Sequence, residues 1–221
     1  MLKYSLGENI EAFTTDRTVG RNIPGVIYPH QVHTDRIFAM TSDLFALSER
    51  ERKDALEGID AIMTDRAGVC IGVSTADCIP VLLYDGAHHA ACAIHAGWRG
   101  TVSRIVEKAV QAMVQTYGSK PCDLQAQIGP GISLDSFEVG DDVYDTFAQA
   151  GFDMVAISQK RAKWHIDLPA CNKLQLMAMG VKPERISVSD ICTYKSHDTF
   201  FSARRLGINS GRIFTAILMK P

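Results

Sequence analysis

Residues 74–101 read STADCIPVLLYDGAHHAACAIHAGWRGT, a mostly apolar stretch with a cysteine near one end and a histidine near the other. The runs IPVLLY and AACAIH have the character of two strands joined across the turn signal DGAH. A hairpin symmetric about Gly86 and Ala87 sets Leu82 opposite Ala91, Pro80 opposite Ala93 and Cys78 opposite His95. Directly opposed residues of an antiparallel pair have Cβ atoms about 4.5–5.5 Å apart. A thiolate and an imidazole at that separation can share one metal ion or exchange a proton. Upstream, YPHQVHTDRI supplies His30 and His33, three residues apart. One of them, added to Cys78 and His95, gives three ligands with a fourth position open, the pattern of catalytic zinc. The plainer alternative is a packed thiol and a hydrogen-bonded strand-end histidine.

The segment HAGWRGT adds residues with little packing purpose. Gly97 and Gly100 permit tight turns or close approach of a ligand. Trp98 and Arg99 offer a stacking surface and a charged fork. Thr101 is read as the start of a helix whose free N–H groups can receive an anion.

The elements that must position these side chains alternate in type. Strands are expected at IFAM (residues 37–40), DAIMTD, VCIGVST, IPVLLY and AACAIH, each bounded by turn residues. From Thr101 the apolar positions Val102, Ile105, Val106, Ala109 and Met113 keep helical spacing, and Gly118 ends the run. LQAQIGPGI predicts a strand and a turn, residues 141–150 a short helix, and KWHID a strand. Asp167 is placed to cap a helix ending at Gly180. RISVSDICTY, TFFSA and RIFTAILM are read as closing strands. LFALSERERKDALEG is a surface helix or a loop. No repeat or linker divides the chain, so residues 1–221 are read as a single α/β domain with partly antiparallel sheets.

Composition narrows the classes. The chain has 221 residues, enough for one domain with a sizeable core, and 46% of them are hydrophobic. A net charge of −2 makes no electrostatic case for a nucleic-acid partner. No apolar run reaches membrane-spanning length. The opening MLKYSLGENIEAF lacks the apolar core of a signal peptide, and a cytoplasmic location is expected. The six cysteines form no CxxC pair and are expected to be reduced.

The motifs HQVHTDRI, DAIMTD, STADCIPVLL, AIHAGWRGT, IGPGI and ICTYKSHDTFFSARR, in this order and spacing, resemble the laccase-domain family over nearly the whole chain. That family was first described as multicopper polyphenol oxidases and is now regarded as zinc-dependent purine nucleoside phosphorylases. The resemblance implies a layered α/β sandwich of two mixed sheets flanked by helices. It places the metal ligands, and with them the catalytic centre, at His33, Cys78 and His95. It implies phosphorolysis of adenosine, inosine, guanosine and methylthioadenosine, plus deamination of adenosine. Purine nucleosides and phosphate are then the partners, and the protein is expected as a monomer or weak homodimer. Thr34 stands where the family usually has glycine, a difference that bears on the local turn and on substrate fit.

For phosphorolysis the site must hold an anion and help protonate the leaving base. Arg99, Arg204 and Arg205 are candidate phosphate ligands because guanidinium forks match phosphate oxygens. Gln31 is a candidate for the base or sugar edge. Asp77, on an alternating strand, points away from Cys78 and is read as capping a turn or orienting a ligand. Three rival readings remain. One is a copper-dependent polyphenol oxidase: Cu²⁺ outcompetes Zn²⁺ at many such sites, although the chain has no His-x-His and only seven histidines. Another is a thiol hydrolase of amide bonds, such as those of cell-wall precursors, with Cys78 as nucleophile and His95 as base. The last is a non-enzymatic nucleoside-binding protein.

Overall fold

The computed structural model describes residues 1–21, 23–40 and 42–221, with the side chains of residues 42 and 43 outside the description. Two large sheets form its frame. The six-stranded sheet runs, in spatial order, Ile186–Val188, Gln125–Ile128, Ile79–Asp85, Ala90–Ala96, Ala61–Thr64 and Ile37–Ala39. Its two edge pairs are parallel and the inner pairs antiparallel. The five-stranded sheet runs Leu2–Tyr4, Ile10–Thr14, Ile213–Met219, Cys70–Thr75 and Val26–Ile27, antiparallel except for its last pair. A third sheet of three short strands, Glu138–Val139, Trp164–Ile166 and Ser158–Lys160, was not anticipated.

Side-chain alternation explains how the layers stack. Ile79, Val81 and Leu83 share a face with Cys92 and Ile94, and this face packs on Ile105, Val106, Ala109 and Met113 of the Ile105–Tyr117 helix. The opposite face, with Leu82, Ala91 and Ala93, packs on Ile71, Val73 and Ile217 of the second sheet. The central hairpin is therefore buried on both sides. That is why its strands read as unbroken apolar runs rather than as an alternation. His95 follows Ala91 and Ala93 in alternation, so it emerges between the two sheets at one end of the sandwich.

Three local expectations change. The helix expected from Thr101 begins at Trp98, stops at Val102, and resumes at Ile105 after Arg104 takes a left-handed φ of 62°. The stretch TFFSA is not a strand: Ser202 caps a short Ala203–Leu206 helix through its side chain. Of RISVSDICTY only Ile186–Val188 is a strand.

The hairpin register also moves. Leu82 pairs with Ala93, Pro80 with His95 and Ile79 with Ala96. The loop is four residues long, closed by the Asp85–Ala90 pair. The buried Asp85 carboxylate accepts the N–H groups of Ala87 (2.9 Å) and His88 (3.2 Å), which widens the turn beyond two residues. A shift of two keeps every side chain on its expected face. Cys78 now stands just before its strand, at the level of Gly97 rather than opposite His95.

Candidate metal centre

Three separate segments bring His33, Cys78 and His95 together. His95 is fixed by its strand and almost fully buried. Cys78 lies one residue before the paired strand, after Asp77 takes a φ of 83°. His33 belongs to a loop and is held at a φ of 65°. One ligand atom from each lies within 4.8 Å of the others, and among the described residues this is the one group of three such side chains so placed. The Cys78 sulfur lies 3.7 Å from His33 Nε2. A tetrahedral centre with Zn–S near 2.3 Å and Zn–N near 2.0–2.1 Å separates two ligands by about 3.6 Å, so the donor set and its spacing fit a small soft-to-borderline divalent cation.

Gly97 makes this approach possible. Its backbone angles are ordinary, yet a Cβ there would lie 2.9 Å from His33 Cδ2 and 3.1 Å from the Cys78 sulfur. The glycine is required by its neighbours rather than by its own φ.

The hub of the site is Asp60, fully buried at the head of the Ala61–Thr64 strand. It accepts the backbone N–H of Val32 (3.2 Å), His33 (3.0 Å) and Thr34 (2.7 Å), the Thr34 hydroxyl (2.7 Å) and His95 Nδ1 (2.7 Å). One carboxylate thus holds the His33 loop in its left-handed turn and directs His95 Nε2 toward Cys78. Burial alone would raise the Asp60 carboxyl, but hydrogen bonds from His95 and Thr34 hold it well below its ordinary range. Burial would likewise raise the Cys78 thiol; the His95 charge and hydrogen bonds from both histidines reverse this and lower it. His95 moves upward, because the attraction of Cys78 and Asp60 outweighs its burial. A metal binds the thiolate together with the neutral imidazole, so an ion entering between Cys78 and His95 displaces the proton that the pair shares without it.

Sequence reasoning did not single out Asp60. The available signal was an acidic residue heading an apolar strand, which buries a charge and so demands partners. Thr34 is not the residue with positive φ; that is His33. Thr34 instead contributes two of the five bonds to Asp60.

A cleft of about 960 Å³ opens over these three side chains. Its walls include Tyr28, Phe45, Ser74 and Thr75, and the cations Arg21, Arg52, Lys53 and Arg212. Gln31 lines it, but its amide is engaged with Ser74: Nε2 donates to the carbonyl (2.9 Å) and Oε1 accepts the N–H (2.8 Å). Arg99 and Arg205 lie outside the lining. The Arg99 guanidinium stacks on Trp98, and Arg205 reaches Tyr194. Arg204 donates to the Glu138 carbonyl. Asp77 is turned away from the ligands and accepts the hydroxyls of Thr193 (2.7 Å) and Ser202 (3.0 Å) and the N–H of Arg204 (2.7 Å), so it caps the short helix there.

Residues 5–220 match the sequence model of the multi-copper polyphenol oxidoreductase laccase family. The chain belongs to this family. A purine nucleoside phosphorylase of Bacteroides thetaiotaomicron is 46% identical over 197 residues, covering 88% of this chain and 73% of the relative. The adenosine deaminase RL5 of an unknown prokaryote is 43% identical over 205 residues, 91% of this chain and 78% of the relative. The Bacillus licheniformis protein YfiH superposes with a TM-score of 0.85 at 25% identity, covering 96% of this chain and 93% of that one. The first two relatives carry the names of enzymes, and YfiH shares the fold of this chain. Among the described residues, no helix is long and apolar enough to cross a membrane.

Proposed function

We propose that the chain is a cytoplasmic purine nucleoside phosphorylase that also deaminates adenosine, with zinc held by His33, Cys78 and His95. The observation that carries this reading is the convergence of two imidazoles and a thiol at the base of a large, cation-lined cleft. The names of its relatives support the substrate class. Adenosine, inosine, guanosine and methylthioadenosine are the proposed nucleosides.

A bound zinc ion supplies a Lewis acid and a concentrated positive charge that no side chain of the cleft provides. The residues of the chain do the rest. Asp60 fixes the His95 tautomer, so that Nε2 faces inward. Arg21, Arg52, Lys53 and Arg212 draw a phosphate anion into the cleft. Tyr28 and Phe45 offer apolar walls for a base or ribose. The volume suits a nucleoside and phosphate bound together. Gln31 braces the wall through Ser74.

Metal-verified protein incubated with adenosine, inosine and methylthioadenosine, with and without phosphate, tests the reading. Free base is expected only when phosphate is present. Base release without phosphate would make the chain a hydrolase of nucleosides. The low-lying thiol next to His95 keeps one rival, a Cys78-based amide hydrolase; chelation abolishes the zinc activity and spares that one. Oxidation of phenols with bound copper and no phosphorolysis would favour the oxidase.

A further inference from the structure

Phosphorolysis needs a proton for the departing purine, and none of the carboxylate, amide or imidazole side chains assigned so far is free to give it. Asp60 is saturated by five donors. Asp77 is saturated by three. The Gln31 amide is bonded to Ser74 on both atoms. His33 and His95 are assigned to the metal.

The spacing His30-x-x-His33 leaves one histidine without a role. His30 lines the same cleft as the three ligands. Its Nδ1 lies 2.6 Å from Glu57 Oε1. Its backbone is pinned on both sides: the N–H donates to the Leu56 carbonyl (2.9 Å), and its carbonyl accepts the N–H of Gly58 (3.0 Å). This bridge sets His30 beside Glu57 in parallel register. The carboxylate engages Nδ1; among the described residues Nε2 has no hydrogen-bond partner, and the His30 side chain is 68% exposed at the cleft wall. An imidazole whose far nitrogen is held by a carboxylate is the general form of an oriented acid–base group. Among the described residues, His30 is the one cleft-lining histidine outside the metal set. Glu49, also in the lining, is a carboxylate at the exposed start of the Glu49–Ala55 helix, and among the described residues nothing orients it in this way.

We infer that His30, oriented by Glu57, is the group that protonates the leaving purine. This rests on the phosphorylase reading. As a phosphate oxygen bonds to C1′ of the ribose, the C1′–N9 bond breaks and its electron pair passes into the purine ring. His30, protonated on both nitrogens, gives the Nε2 proton to N7 of the departing base. It is left as the Nδ1–H tautomer, still hydrogen-bonded to Glu57. Solvent returns one proton before the next turnover, and the products are neutral purine and ribose 1-phosphate.

The test compares inosine with 7-methylinosine, whose methylated N7 already carries positive charge, so its base leaves without a proton. His30→Gln should lower kcat for inosine by about 10²–10⁴-fold, the usual contribution of a positioned acid. It should leave kcat for 7-methylinosine within a few-fold of wild type, with zinc content unchanged. Added imidazole should restore part of the inosine activity, and Glu57→Gln should give a smaller loss with the same substrate dependence. Wild-type turnover of inosine by His30→Gln, equal losses on both substrates, or loss of zinc would each overturn the role. If Glu49→Gln instead gave the substrate-dependent loss, the acid would be Glu49 and His30 would be excluded. A wild-type protein that releases no base with phosphate would fail earlier, before any substitution, and would remove the phosphorylase reading together with this role.

Discussion

Asp60 Oδ1 lies 2.7 Å from Nδ1 of His95, and the same carboxylate accepts the backbone N–H groups of Val32, His33 and Thr34. A single buried anion therefore sets the orientation of one proposed ligand and the backbone of another. Asp60→Asn keeps the shape but loses the charge and one acceptor atom. Metal affinity is expected to fall about 10–100-fold, as for other partners that orient a ligating histidine. Competition with a chromophoric chelator measures this directly. Unchanged affinity would mean that the orientation of His95 is set elsewhere.

Gly97→Ala adds one methyl group between His33 and Cys78, at 2.9 Å and 3.1 Å from their side chains. Because the Gly97 backbone is in an ordinary extended conformation, the effect is steric and confined to the site. The variant should fold with a thermal midpoint within a few degrees of wild type, while its bound metal drops sharply. Metal content paired with a melting curve separates these two effects. A variant with full metal content would show that the two ligands do not need this close approach.

The hairpin that carries His95 has its own pH dependence. Burial would raise the Asp85 carboxyl, but the Ser119 hydroxyl, then the His88 side chain and the N–H groups of His88 and Ala87, hold it below its ordinary range. A carboxyl lowered in the folded state stabilises the fold above the unfolded carboxylate range, near pH 4. That contribution is lost as pH falls from about 4 through the lowered folded value. Asp85→Asn should cost about 2 kcal/mol at neutral pH and flatten the acid limb of stability against pH. Denaturant titrations at several pH values read both. Parallel pH curves for the two proteins would count against the carboxylate.

Much of this frame is legible in the sequence, because strand runs and helix periodicity are local signals. IPVLLY and AACAIH announce a fully buried hairpin, and Gly118 ends its helix as expected. The register was two residues off because the Asp85 carboxylate closes a four-residue loop where a two-residue turn was expected. TFFSA looked like a strand because its apolar residues are local, whereas the cap that turns the chain into a helix comes partly from Asp77, 127 residues from Arg204. Asp60 was hidden for the same reason: its five donors lie on segments 26–35 residues away. The convergence of His33, Cys78 and His95 was suggested by motif and spacing, while the cations of the cleft come from segments that share no pattern.

The most direct test of the account is the zinc content of purified wild-type protein beside His33→Ala, Cys78→Ala and His95→Ala, each verified as folded by circular dichroism. One zinc ion per chain is expected in the wild type, with near-complete loss in each of the three variants. Full zinc occupancy in all three would contradict the site and the function built on it.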